Sequence, residues 1–209
     1  MARTGRPREF DEDAVVARAT EVFWERGYGA TSMQDLVDAL GVQRGSLYGT
    51  FGSKRSLLLL ALAHYRAEVA RRLAALEGPG PVLPALRAFL AAPLGPRAAP
   101  LGTGCLMGNT ALELAPEDTE IADAVREGFA ALENLLRRAL TRAHDSGELP
   151  AGDPGTQARL LVTTHQGLHV LARTAPDPAR LDDVVDAVLA ALGASSPAME
   201  SDGRTAPRR

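Results

Sequence analysis

Between Gly41 and Lys54 the sequence sets Gln43, Arg44, Ser46, Tyr48 and Lys54 close together, with Gly45 and Gly49 among them. Amide and guanidinium groups of this kind hydrogen-bond adenine and guanine edges in a duplex major groove, and hydroxyl and ammonium groups suit phosphates. Thr31 and Ser32 open the preceding periodic segment, where free backbone N–H groups and the helix dipole favour an anion. Thr31, Ser32, Gln43, Arg44, Gly45, Ser46, Tyr48, Gly49 and Lys54 are therefore candidate DNA contacts. In this reading Gln43, Arg44 and Ser46 face bases, and Thr31, Tyr48 and Lys54 face phosphates. Arg3, Arg6 and Arg8 suggest an arm for an adjacent minor groove, or a merely solubilising tail.

Three further groups invite chemistry. Cys105 is the only cysteine, which excludes an intrachain disulfide and an all-cysteine metal site. It stands at the expected start of a helix, where a thiol acquires thiolate character or simply packs as a small hydrophobe. His165 and His169 are spaced i, i+4 and share a helix face, but spacing supplies no third ligand, so no metal and no cofactor is expected. Asn109 and Glu113 also share a face, to orient a polar ligand or to support their helix. No Ser/His/Asp order, phosphate loop or metal motif stands out, so an enzyme is not expected.

Helical periodicity runs through almost the whole chain, and no window alternates at period two. The pattern predicts helices over about 12–26, with Asp11 as N-cap and Gly27 as stop, and over 32–40, with a capping box at Thr31-Ser32-Met33-Gln34. A short helix over 43–50 follows the Leu40-Gly41-Val42 turn, where Gly41 supplies positive φ and Val42 and Leu47 anchor the pair. A long helix over 54–76 comes next, then helices from Pro84 to 91, 105–114, 119–144, 154–173 and 178–192. Asp118, Asp153 and Asp177 are their candidate caps, the last two each followed by proline. Trp24 falls beside the main stripe of the first helix and is expected to pack under the fourth. The expected class is all-α: a basic arm at 1–10, a helix-turn-helix domain at 11–53, a larger helical domain at 54–193, and a disordered tail at 194–209.

The balance of 23 basic and 26 acidic residues excludes a protein that binds nucleic acid by bulk charge. Residues 1–55 hold eight of each sign, so placement of charge must do the work. No stretch approaches the roughly 18 continuous apolar residues of a membrane span, and no apolar region follows the N-terminal arginines. A cytoplasmic protein with no membrane partner is the expectation.

Several spacings agree with one family. Thr31-Ser32-Met33, Leu40-Gly41-Val42 and Gly45-Ser46-Leu47-Tyr48-Gly49-Thr50-Phe51-Gly52-Ser53-Lys54 resemble the DNA-binding domain of TetR/AcrR-type regulators. Phe23 to Tyr28 and Gly5 to Arg8 fit as well, so the resemblance covers about residues 5–65. Gly49 stands where the family usually has an aromatic residue or His, so base preference does not carry over. The resemblance implies an all-helical homodimer that leaves operator DNA when the C-terminal part binds an inducer, usually as a repressor. It makes the last two helices, about 154–192, the dimer seam, with Leu160, Leu161, Leu168, Leu171, Leu181, Val184, Val185, Val188, Leu189 and Leu192 on them and Gly167 allowing close approach. Candidate inducer contacts are Leu62, Tyr65, Phe89, Cys105, Met107, Thr110, Phe129, His165 and His169. The segment Gly104 to Asn109 also resembles one in a TetR subset, some of whose members sense electrophiles through the matching cysteine, which gives Cys105 an alternative role as sensor.

Overall fold

A computed structural model describes residues 10–94, 103–174 and 177–193. The arginine arm, apart from Phe10, and the tail lie outside the described residues. Among these residues the chain forms nine α-helices: α1 Glu12–Arg26, α2 Met33–Leu40, α3 Arg44–Phe51, α4 Lys54–Arg72, α5 Val82–Ala91, α6 Leu106–Leu114, α7 Thr119–Asp145, α8 Pro154–Ala172 and α9 Pro178–Ala191. The fold is all-α, as the periodicity requires. No described helix is long and apolar enough to cross a membrane.

Most boundaries follow from local chemistry. Asp11 accepts the N–H groups of Asp13 and Ala14 at 3.0 and 3.4 Å. Asp118 caps α7 through Ile121, and Asp153 and Asp177 cap helices whose first residue is proline. Three boundaries differ from the sequence expectation, each for a tertiary or competing local reason. The capping box of α2 is Ser32 with Asp35, one residue later than the expected Thr31 and Gln34, because the Thr31 hydroxyl turns back to the Gly27 carbonyl at 2.6 Å. Helix α4 ends at Arg72 and continues only as a 3-10 turn, Ala74–Leu76, which drives Leu76 into the core while Arg142 takes its carbonyl at 2.9 Å. Helix α5 begins two residues before Pro84, because the distant Glu148 carboxylate receives the N–H groups of Val82 and Leu83 at 2.8 and 2.7 Å.

Two apolar cores result. One joins α5, the long α7, α8 and α9. The other joins α1 to α4 but also takes in Cys105, Leu106 and Met107 around the start of α6, and Ile121 and Val125 of α7. Apolar packing is therefore continuous across residue 53, and the helix-turn-helix segment, the head, rests directly on the later helices, the body. Charged ties reinforce that seat. Arg55 grips Asp118 through two hydrogen bonds of 2.6 and 2.7 Å and also reaches Glu120. The Arg55 guanidinium holds the Asp118 carboxyl down to about 2, helped by the Ile121 N–H, and Arg55 is itself shifted upward.

Candidate nucleic-acid interface and ligand cavity

The turn between α2 and α3 is built on Gly41, which adopts φ 66° and ψ 24° and returns its N–H to the Val37 carbonyl. A side chain at that left-handed position would be strained. Leu36 and Leu47 are both fully buried, and Phe51 is nearly so, so α3 is fastened on one face only. The opposite face carries Gln43, Arg44, Gly45, Tyr48 and Gly49, all exposed, with Ser46 half-buried beside them. The Arg44 guanidinium lies over the Tyr48 ring, its carbon 5.7 Å from the ring centroid. A Cβ added at Gly45 or Gly49 would meet nothing within 4 Å, so α3 presents bare backbone at two points one turn apart.

The remaining candidate contacts are engaged within the protein. Thr31 is fully buried with its hydroxyl on Gly27, so it supports the turn and cannot offer that hydroxyl to a phosphate. Ser32 uses its N–H and hydroxyl on Asp35, whose carboxyl is thereby held below the usual range. Lys54 places its ammonium 3.9 Å over the Tyr28 ring and donates to the carbonyls of Tyr28 and Thr31 at 2.9 and 2.8 Å. One ammonium hydrogen remains for an outside acceptor.

A cavity of about 500 Å³ opens between α1, α4, α5 and α8. Such a volume suits a small organic molecule. Tyr65, Phe89, His165 and His169 line it, as expected from sequence, but its α1 wall is Glu21, Trp24 and Glu25, which sequence reasoning missed. Spacing i, i+3, i+4 puts those three on one face of α1, and that spacing was the available signal. The Trp24 ring meets Tyr65 edge-on at 5.2 Å, and its N–H donates to the Gly104 carbonyl at 2.8 Å. The packing role expected for Trp24 is therefore real, and the ring also faces the cavity. Leu62, Cys105, Met107, Thr110 and Phe129 do not line it: the first four are buried elsewhere and Phe129 packs against the head-side core. Met107 seats on Gly128 instead.

Aromatic contacts also define the far wall. Phe89 stacks on His165 at 4.0 Å, and His165 meets His169 with their Nε2 atoms 3.1 Å apart. Burial, then the neighbouring His169, pushes His165 down to about 3, and burial alone lowers His169 to about 4, so both are neutral at physiological pH. Cys105 is only 6% exposed and its sulfur receives the Tyr65 hydroxyl at 3.7 Å. Burial chiefly, with Cys105 beside it, raises the Tyr65 pKa.

A helix-turn-helix head seated on a helical, cavity-bearing body is the architecture of a DNA-binding transcription regulator. Known proteins agree. Residues 15–61 match the bacterial regulatory proteins of the tetR family, and residues 82–188 match the tetracyclin repressor-like C-terminal domain. The HTH-type transcriptional regulator YezE of Bacillus subtilis is 38% identical over 90% of this chain and 99% of its own. The transcriptional repressor ComR of Escherichia coli is 31% identical over 81% of this chain and 82% of its own. A solved cysteine variant of the TetR-family regulator CifR, bound to 26-bp operator DNA, is 34% identical, with TM-score 0.74 over 89% of this chain and 99% of that one. The chain belongs to the TetR family of transcriptional regulators.

Proposed function

We propose that this regulator is a cytoplasmic homodimeric repressor, released from its operator when a small molecule enters the cavity between α1, α4, α5 and α8. It acts by binding and not by catalysis. The observation that carries the reading is the shared wall: α1 belongs to the reading head, yet its Glu21, Trp24 and Glu25 line the cavity. A ligand with different affinity for the two arrangements of that wall shifts the population of heads correctly placed for DNA.

In this reading residues 11–53 read DNA and 54–193 bind ligand and pair. Gln43, Arg44 and Ser46 address base edges, Tyr48 and Lys54 address phosphates, and Gly45 and Gly49 admit the duplex close to the α3 backbone. Repression fits the similarity to ComR, a transcriptional repressor, and operator binding fits the similarity to CifR, solved on its operator. Pairing is supported by apolar side chains left outside: Leu160 42%, Val170 57%, Leu171 49% and Val184 38% exposed. Gly167 lies among the α8 positions with open space in front of it. Leu161, Leu168, Leu181, Val185, Leu189 and Leu192, also assigned to the seam by resemblance, belong to the protomer's own core, so the seam is narrower than the sequence suggested. The buried setting of Cys105 supports a packing role and not a sensing one.

Trp24 is the only tryptophan, which makes the test direct. Compounds are titrated while Trp24 emission and operator anisotropy are recorded together. The reading predicts that an inducer changes both with one half-saturation concentration. An inducer that releases DNA while leaving Trp24 emission untouched contradicts cavity binding.

A further inference from the structure

The turn between α1 and α2 is held from two sides by opposite charges. Lys54 takes its carbonyls, at Tyr28 and Thr31. Glu113, near the end of α6, takes its N–H groups: Tyr28 at 3.0 Å and Gly29 through the other carboxylate oxygen. The two N–H donors are thus satisfied by a residue more than eighty positions away, not by the helix that follows. Gly29 is what lets the carboxylate in. A Cβ at that position would stand 2.7 Å from Glu113 Oε1, closer than side chains tolerate, although the backbone there is not in the left-handed region.

We infer that Glu113 is a positioning residue for operator binding. Its carboxylate fixes the turn from which α2 starts, four residues beyond Gly29, and so sets the attitude of the α2–α3 pair against the body. This rests on the reading that α3 engages operator DNA. The same helix α6 begins beside Gly104, the acceptor of the Trp24 N–H in the cavity wall. Glu113 therefore connects the helix that follows the Thr103–Gly104 edge of the cavity to the backbone of the head.

The direction of the effect separates this role from simple charge. Removing an anion from a DNA-binding protein strengthens or preserves binding through the phosphate field. Loss of a positioning group weakens it. Glu113→Ala and Glu113→Gln, the latter retaining shape but placing an amide N–H against one of the two donors, are expected to lower operator affinity about tenfold, the combined effect of two heads each losing charge-assisted hydrogen bonds. Affinity for a scrambled duplex stays at the wild-type value, as do sedimentation as a dimer and thermal stability within a few degrees.

The test is a double-mutant cycle by fluorescence anisotropy on Gly29→Ala and Glu113→Ala. Gly29→Ala alone is expected to reproduce the Glu113→Ala loss, because its methyl group displaces the carboxylate. In the Glu113→Ala background it adds nothing. Amide exchange at Tyr28 and Gly29 accelerates in both variants while exchange in α7 does not. Wild-type or tighter operator binding by Glu113→Ala, losses that multiply in the double variant, or unchanged exchange at those two amides would each overturn the inference. If the unaltered protein fails to prefer operator over scrambled DNA, the operator reading itself falls, which is a distinct result.

Discussion

Replacing Gly49 by alanine should make the protein more stable and a worse operator binder. Gly49 lies inside α3, Arg44–Phe51, on its exposed face, and an added Cβ there meets nothing within 4 Å. Glycine in a helix interior is less favourable than alanine by about 0.8–1.0 kcal/mol, so Gly49→Ala removes that deficit at no steric cost. For a chain of this size such a gain raises the melting temperature by about 2–4 °C. On DNA the sign reverses. If base edges approach the bare backbone, the methyl group overpacks the contact by roughly 1–3 kcal/mol, and about 1.4 kcal/mol already corresponds to a tenfold weaker complex. Melting curves at one fixed protein concentration and anisotropy with labelled operator read the two effects separately. A higher melting temperature with unchanged operator affinity would show that Gly49 does not face DNA. A lower melting temperature would refute the account of α3 as a helix packed on one side only.

Ser32→Ala removes the α2 capping box and should lower stability by about 1 kcal/mol, a fall of about 2–4 °C in calorimetry, with weaker operator binding alongside; an unchanged melting point would mean the cap does not stabilise α2. Leu171→Glu puts a carboxylate on the exposed α8 face and should give a monomer in sedimentation that no longer retains operator, whereas a persistent dimer would place the seam elsewhere. Stability should also fall with acid through the buried histidines. Unfolded histidine titrates near 6.5, while in the fold His169 and His165 are held at about 4 and about 3. Between pH 6.5 and 4 the unfolded chain therefore takes up protons that the folded chain refuses, and each histidine contributes a slope approaching 1.4 kcal/mol per pH unit. Denaturant melts across that range should show the slope shrink in His165→Phe/His169→Leu; an undiminished slope would assign acid sensitivity to other groups.

How much of this was legible in sequence depends on where each cause lies. Caps made by neighbouring residues, such as Asp11, Asp153-Pro154 and Asp177-Pro178, were readable because sequence distance is spatial distance there. The start of α5 was not, because its cap is Glu148, and neither was the seat of the α1–α2 turn, because its anchor is Glu113. In the DNA-reading head, types and spacing placed the outward α3 residues well. Burial then removed Thr31 from the exposed set, and internal hydrogen bonds engaged Ser32 and much of Lys54. The cavity was half legible: His165, His169, Phe89 and Tyr65 face it. Leu62 shares α4 with Tyr65 but turns into the core, Met107 and Thr110 are buried on α6, which gives no residue to the lining, and only the packing of α1 on α4 brings Trp24 to the wall.

The most direct measurement compares the affinity of the intact protein for the intergenic DNA beside its own gene with that for a scrambled duplex of equal length, at one stated salt concentration. The account predicts a preference of about 10³ or more, with affinity falling steeply as salt rises. Equal affinity for the two duplexes would contradict sequence-specific operator binding by α3.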